Sequence, residues 1–205
     1  MAVAPYVLAQ FCARSYQEVH WTAGDVAARL DVVDGVPYIT ARGTIPDDLL
    51  NWIRDFDALL VTDEYLGSVH QGFRDGADAL FDAIAKSDIG SVRGVHVFEQ
   101  CPGFVGHSLG GAMAIDLGGW LLTSGRKITS ITTFNAPRAG GSVLKSIVGP
   151  HVDQWRHAGD VVSVLPDLPG VYQDMSLPVT LGRELLPLAA HAISNFTDEA
   201  SYVAP

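Results

Sequence analysis

An α/β fold, with a mostly parallel sheet covered by helices on both faces, is what this sequence predicts, and three observations carry the prediction. Apolar segments with strand character alternate with segments whose apolar residues recur three and four apart. A glycine-bounded serine sits where one such strand would run into one such helix, and an Asp-Gly pair joins two early β-branched runs as a hairpin. The 205 residues, 48% of them hydrophobic, suffice for one core, so the expectation is a single domain over 1–205.

Taken in order, residues 3–16 read as a helix. Residues 26–33 and 36–41 read as the two arms of a hairpin turning at Asp34-Gly35, which adds antiparallel strands to one side of the sheet. Residues 46–57 place Leu49, Leu50, Ile53 and Phe56 on one helical face, and 58–62 is a short apolar strand. Residues 73–86 have helical spacing, 92–98 and 104–105 are strand-like, and 109–122 is helical again. Beyond them, 127–134 and 152–157 are strands, 143–148 is a short helix, and 184–196 is a final helix interrupted by Pro187.

Composition narrows the partners. A formal net charge of −10 gives no support to binding phosphate backbones, so nucleic acid is not expected. Neutral lipid surfaces and small esters remain compatible with that charge. Cys12 and Cys101 are far apart, with neither metal-site nor redox-pair spacing, and no disulfide is inferred. No basic leader precedes an apolar stretch and no run approaches eighteen apolar residues, so the default expectation is a soluble, cytoplasmic chain.

The chemistry centres on Gly106-His107-Ser108-Leu109-Gly110. A serine on a sharp strand-to-helix turn is forced into a strained backbone conformation that lifts its hydroxyl above the sheet, and close neighbours must then lack side chains. Gly106 and Gly110 meet that need, and the Leu109 amide at the helix start is placed to donate to an oxyanion. The segment Gly140-Gly141-Ser142-Val143-Leu144-Lys145-Ser146 resembles a phosphate loop only superficially, because no glycine precedes its lysine.

Serine nucleophiles on such sheets are followed in the chain by a carboxylate and then a histidine. Of seven histidines only His151, His157 and His191 come after Ser108, and His191 alone also has a strong carboxylate candidate upstream. That carboxylate is Asp160, just past the C-terminal end of the strand 152–157, where active-site groups of open α/β sheets gather; Asp167 and Asp174 rank below it.

These segments resemble the class 3 lipases, the fungal-lipase-like α/β hydrolases, from about residue 42 to 196. Arg42-Gly43-Thr44 is similar to the family's Arg-Gly-Ser/Thr, and Val69-His70-Gln71-Gly72-Phe73 to its Val-His-x-Gly-Phe. The serine segment 106–111 is similar to Gly-His-Ser-Leu-Gly-Gly, and Phe134-Asn135-Ala136-Pro137-Arg138-Ala139-Gly140 to Phe-Gly-x-Pro-Arg-Val-Gly. Asp160-Val161-Val162-Ser163-Val164-Leu165-Pro166 is similar to Asp-Ile-Val-Pro-x-Leu-Pro. The resemblance implies the α/β-hydrolase fold, a triad of Ser108, Asp160 and His191, and an oxyanion hole of Thr44 and Leu109. It implies hydrolysis of acylglycerols or related lipid esters without metal or organic cofactor, with transient contact to a lipid surface. A phospholipase, a feruloyl-type esterase, an acyltransferase or a silent binding module on the same scaffold are the alternatives.

His70 and His107 read as structural and Arg138 as an anchor of the sheet edge. Two departures matter. Pro102-Gly103 interrupts the approach to the serine, so the strand there should be short or bulged. Residues 45–57, with Trp52 and Phe56, occupy the position of a lid helix, for which an ordinary packed helix is the alternative.

Overall fold

The computed structural model describes residues 2–43, 59–92, 94–183 and 185–202. Helix α1 (Pro5–Ser15) has proline in its first turn, where a missing N–H is harmless. Strands β1 (Trp21–Ala23), β2 (Val26–Val33) and β3 (Val36–Ala41) form an antiparallel meander. Asp34 and Gly35, at φ 52° and 83°, make the expected tight turn, with Val33 paired to Val36. The expected helix at 46–57, the lid segment 45–57 and Thr44 lie outside the described residues.

The expected strand at 58–62 is β4 (Leu60–Asp63). It pairs with β5 (Gly67–His70) as a separate ribbon, outside the main sheet. Helix α2 (Gln71–Ala85) follows. The expected strand at 92–98 is instead a small hairpin of β6 (Ser91–Val92) and β7 (Val95–His96), followed by a 3-10 turn. Gly94, at φ 75°, turns the chain back before a longer strand can form.

Strand β8 (Gly103–His107) begins just after Pro102, so the proline's missing donor falls outside the ladder. The strand is short and wholly buried, paired in parallel with β3 on one side and with β9 (Ile131–Phe134) on the other. Between them runs α3 (Leu109–Thr123). Helix α4 (Ser142–Val148), β10 (Val152–His157) and β11 (Val179–Leu181) complete the succession, and the sheet order is β1-β2-β3-β8-β9-β10-β11. The five strands from β3 to β11 are mutually parallel.

Side chains alternate across this sheet and define two cores. On one face Ile39, Phe104, Ile131 and Val152 meet Phe73, Leu80, Met113 and Leu117 from α2 and α3, together with Leu144 of α4. On the other Tyr38, Val105, Phe134 and Trp155 meet Leu8 and Phe11 of α1, with Phe196 near the C-terminus. Each such apolar side chain contributes about 1.5–3 kcal/mol on burial. The expected last helix at 184–196 shrinks to α5 (Pro187–His191), because Ala192 is extended, at φ −63° and ψ 132°, and a 3-10 turn follows. Cys12 and Cys101 are both free thiols. No described helix is long and apolar enough to cross a membrane.

Candidate active site

Ser108 stands between the end of β8 and the start of α3 with φ 58° and ψ −136°. Its amide donates to the Phe134 carbonyl at 3.0 Å and its carbonyl accepts from Gly111 at 2.9 Å, so the strained turn is held from both sides. A Cβ on Gly106 would strike the Gly110 carbonyl, and one on Gly110 would strike the carbonyl of Ala41. The tight turn therefore excludes side chains at both flanking positions. Leu109 is the first residue of α3, where backbone amides have no intrahelical acceptor.

Gly159, at φ 84°, turns the chain after β10 and delivers Asp160 to the same edge of the sheet. The Asp160 carboxylate accepts from the Val162 amide at 3.1 Å and the Ser163 amide at 3.2 Å. Its Oδ1 also lies 3.0 Å from His191 Nδ1, and the two side chains are 0% and 4% exposed. A carboxylate held in this way is an acceptor, so Nδ1 carries the proton and Nε2 presents a lone pair. Ser108 Oγ and His191 Nε2 are both buried and have no hydrogen-bond partner among the described residues. The site thus leaves unsatisfied one hydroxyl donor and one imidazole acceptor, the two atoms that general-base activation of a serine requires.

His157, the rival histidine, is engaged elsewhere: its amide donates to Asn135 Oδ1 and its Nδ1 faces the Ala158 carbonyl at 2.9 Å. Arg138 tethers the loop after Asp160 more than the sheet edge. Its amide donates to Leu165, and its guanidinium reaches the Pro166 carbonyl, Asp167 and Asp174. His70 stacks on Phe73, with ring centroids 4.1 Å apart.

His107 is more than a spacer in the serine segment. Its Nε2 donates to the carbonyl of His191 at 2.7 Å, and its Nδ1 accepts from the Tyr16 hydroxyl at 2.8 Å. Burial pushes its pKa down to about 3, with the nearby His191 ring adding to the effect, so it stays neutral. Nothing in the sequence pointed to Tyr16, at the end of α1 and far along the chain from His107.

A cavity of about 450 Å³ opens elsewhere, lined by Asp63, Arg74, Phe81 and Trp120 among others, and contains none of the residues named as the triad. Among the described residues no three His, Cys, Asp or Glu side chains converge as a metal site.

A model of the class 3 lipase family matches residues 38–170. The triacylglyceride lipase of Rhizomucor miehei has a similar fold, with TM-score 0.70 at 18% identity over 85% of this chain and 78% of that one. A triacylglycerol lipase whose catalytic centre is a serine-protease triad gives 0.66 at 20% identity, over 86% and 77%. The Lip2 lipase of Yarrowia lipolytica gives 0.64 at 23%, over 82% and 66%. A comparison with curated protein sequences gave no significant match.

Proposed function

Because this chain belongs to the class 3 lipases, we infer that it hydrolyses carboxylic esters of lipids, acylglycerols foremost, through an acyl-enzyme on Ser108. What supports this assignment of roles is the buried Asp160–His191 pair together with a strained Ser108, His191 Nε2 and Ser108 Oγ both lacking a hydrogen-bond partner among the described residues. His191 Nε2 takes the hydroxyl proton as Oγ attacks the ester carbonyl, and Asp160 holds the imidazole in its tautomer and stabilises the imidazolium that forms. The Leu109 amide and the Thr44 amide donate to the oxyanion. The alcohol leaves with the proton from His191. Water then enters, loses a proton to His191 and releases the acid, returning Ser108 to its starting state.

Exposed apolar residues flank Asp160 and His191 in the chain. Val161 and Val164 follow Asp160 in the chain, Leu185 and Leu186 precede His191, and all four are exposed, Leu186 at 81%. Apolar residues on the segments that carry Asp160 and His191 suit contact with a lipid surface.

The test uses p-nitrophenyl butyrate hydrolysis and labelling by a fluorophosphonate probe in the wild type and in Ser108→Ala. The wild type is expected to hydrolyse the ester and take up the probe, and Ser108→Ala to do neither. Equal activity in both sinks the assignment. A chain-length series of triglyceride, phospholipid and water-soluble esters then separates lipase from phospholipase and feruloyl-type esterase.

A further inference from the structure

The imidazole of His191 is oriented at Nδ1 by Asp160, but a ring held at one atom also needs its backbone held. Two consecutive carbonyls of α5 are gripped by side chains from two different strand ends. His107, ending β8, donates to the carbonyl of His191 at 2.7 Å. Asn135, just past β9, donates from Nδ2 to the carbonyl of Ala190 at 2.9 Å, the shorter of two side-chain bonds to that carbonyl, the other coming from Asn195 Nδ2 at 3.1 Å.

Asn135 is fully buried and its orientation is determined by its partners. Oδ1 accepts from the His157 amide at 2.8 Å, and an amide N–H can only donate. Nδ2 faces a carbonyl, which can only accept. The side chain therefore ties the end of β10, which leads to Asp160, to the residue before His191. Its backbone is at φ 48°, a left-handed conformation for which glycine is the least strained residue. Glycine is what the family pattern has at this position. This chain keeps the glycine conformation and adds an amide that bridges the two segments carrying the base and its orienter.

We propose that Asn135 is a positioning residue for His191, which together with His107 clamps the consecutive carbonyls of Ala190 and His191 and so aims the imidazole at Ser108. The inference rests on the hydrolase reading above. Tyr16 completes the His107 arm: its hydroxyl donates to Nδ1, leaving Nε2 as the donor to His191.

The backbone strain makes the test discriminating. A residue present only to accommodate φ 48° is replaced without loss by glycine, which relieves strain there. Asn135→Gly is therefore expected to fold, and kcat for p-nitrophenyl butyrate to fall about tenfold, with KM within about twofold of wild type. The rate of fluorophosphonate labelling falls in parallel. Asn135→Asp retains an acceptor for His157 but loses the bond from β9 to Ala190, and shows the same pattern. Tyr16→Phe, which keeps the ring and removes the hydroxyl, lowers kcat in the same direction. A kcat within twofold of wild type in Asn135→Gly, or a loss confined to KM, overturns the proposal, as does a Tm drop that alone accounts for lost activity. A reactive wild type with an unchanged Asn135→Gly removes this inference alone; a wild type inert to ester and probe removes the hydrolase reading with it.

Discussion

His191 Nδ1 and Asp160 Oδ1 lie 3.0 Å apart, with the two side chains 4% and 0% exposed, so the contact is sheltered from competing water. An acceptor on Asp160 is what sets the tautomer. Asp160→Asn can present an amide N–H there, favouring the tautomer with its proton on Nε2, which cannot receive the proton of Ser108. The expected result is a kcat lower by roughly 10³–10⁴-fold with a folded chain. Ester turnover together with a thermal melt checks it, and turnover within tenfold of wild type removes Asp160 from the proposed triad.

His107 gives the stability of the chain an acid limb. Its native pKa of about 3 lies below the ordinary imidazole value near 6.5, so folding favours the neutral form. The stabilisation is complete above the unfolded value and is lost as pH falls from about 6.5 toward 3, on the order of a few kcal/mol in all. The groups facing the ring are Tyr16 and His191. His107→Gln, which cannot titrate, is expected to flatten Tm against pH in that window while lowering Tm near pH 8. A melt series from pH 8 to 4 reads both effects.

Asp116 acts in the opposite sense. It is fully buried on α3, neither oxygen has a hydrogen-bond partner among the described residues, and burial, then the Asp63 charge, pushes its carboxyl well up. Arg74 only partly offsets this. The native state holds the proton more tightly than the unfolded chain does, so stability falls as pH rises from about 4 through the native pKa. Asp116→Asn removes the ionisation and is expected to raise Tm at pH 7.5 by a few degrees. The gain should vanish near pH 4. An equal shift at both pH values would contradict the protonation argument.

Gly110→Ala tests the elbow. The added methyl would collide with the Ala41 carbonyl of the neighbouring strand, a backbone atom that cannot move without disturbing the sheet. A loss of about 2–4 kcal/mol is expected, together with loss of fluorophosphonate labelling. Denaturant titration and labelling at low temperature measure the two.

Much of this architecture was legible because it rests on local rules. The hairpin at Asp34-Gly35, strand β10 and the helix after Ser108 follow from turn chemistry and apolar period, and their observed limits lie close to the expected ones. The failures have equally local causes. The segment 92–98 has strand composition, but Gly94 folds it into a hairpin outside the main sheet. Strand β11 is three residues long and mostly exposed, too short to show a pattern. The last helix stopped after five residues because Ala192 turns extended, which no residue type there announces.

At the site the division is sharper. Motif order and the family resemblance single out Ser108, Asp160 and His191 as the proposed triad, because the chemistry of a strained serine, a base and an orienter restricts residue type and sequence order. Which groups hold His191 in place is decided by tertiary structure. Tyr16, His107 and Asn135 come from three separate parts of the chain and meet only when β8 and β9 lie side by side under α1 and α5. Hydrogen bonds to backbone carbonyls leave no spacing or periodicity in a sequence, since any carbonyl is an acceptor; only the folded sheet selects those of Ala190 and His191.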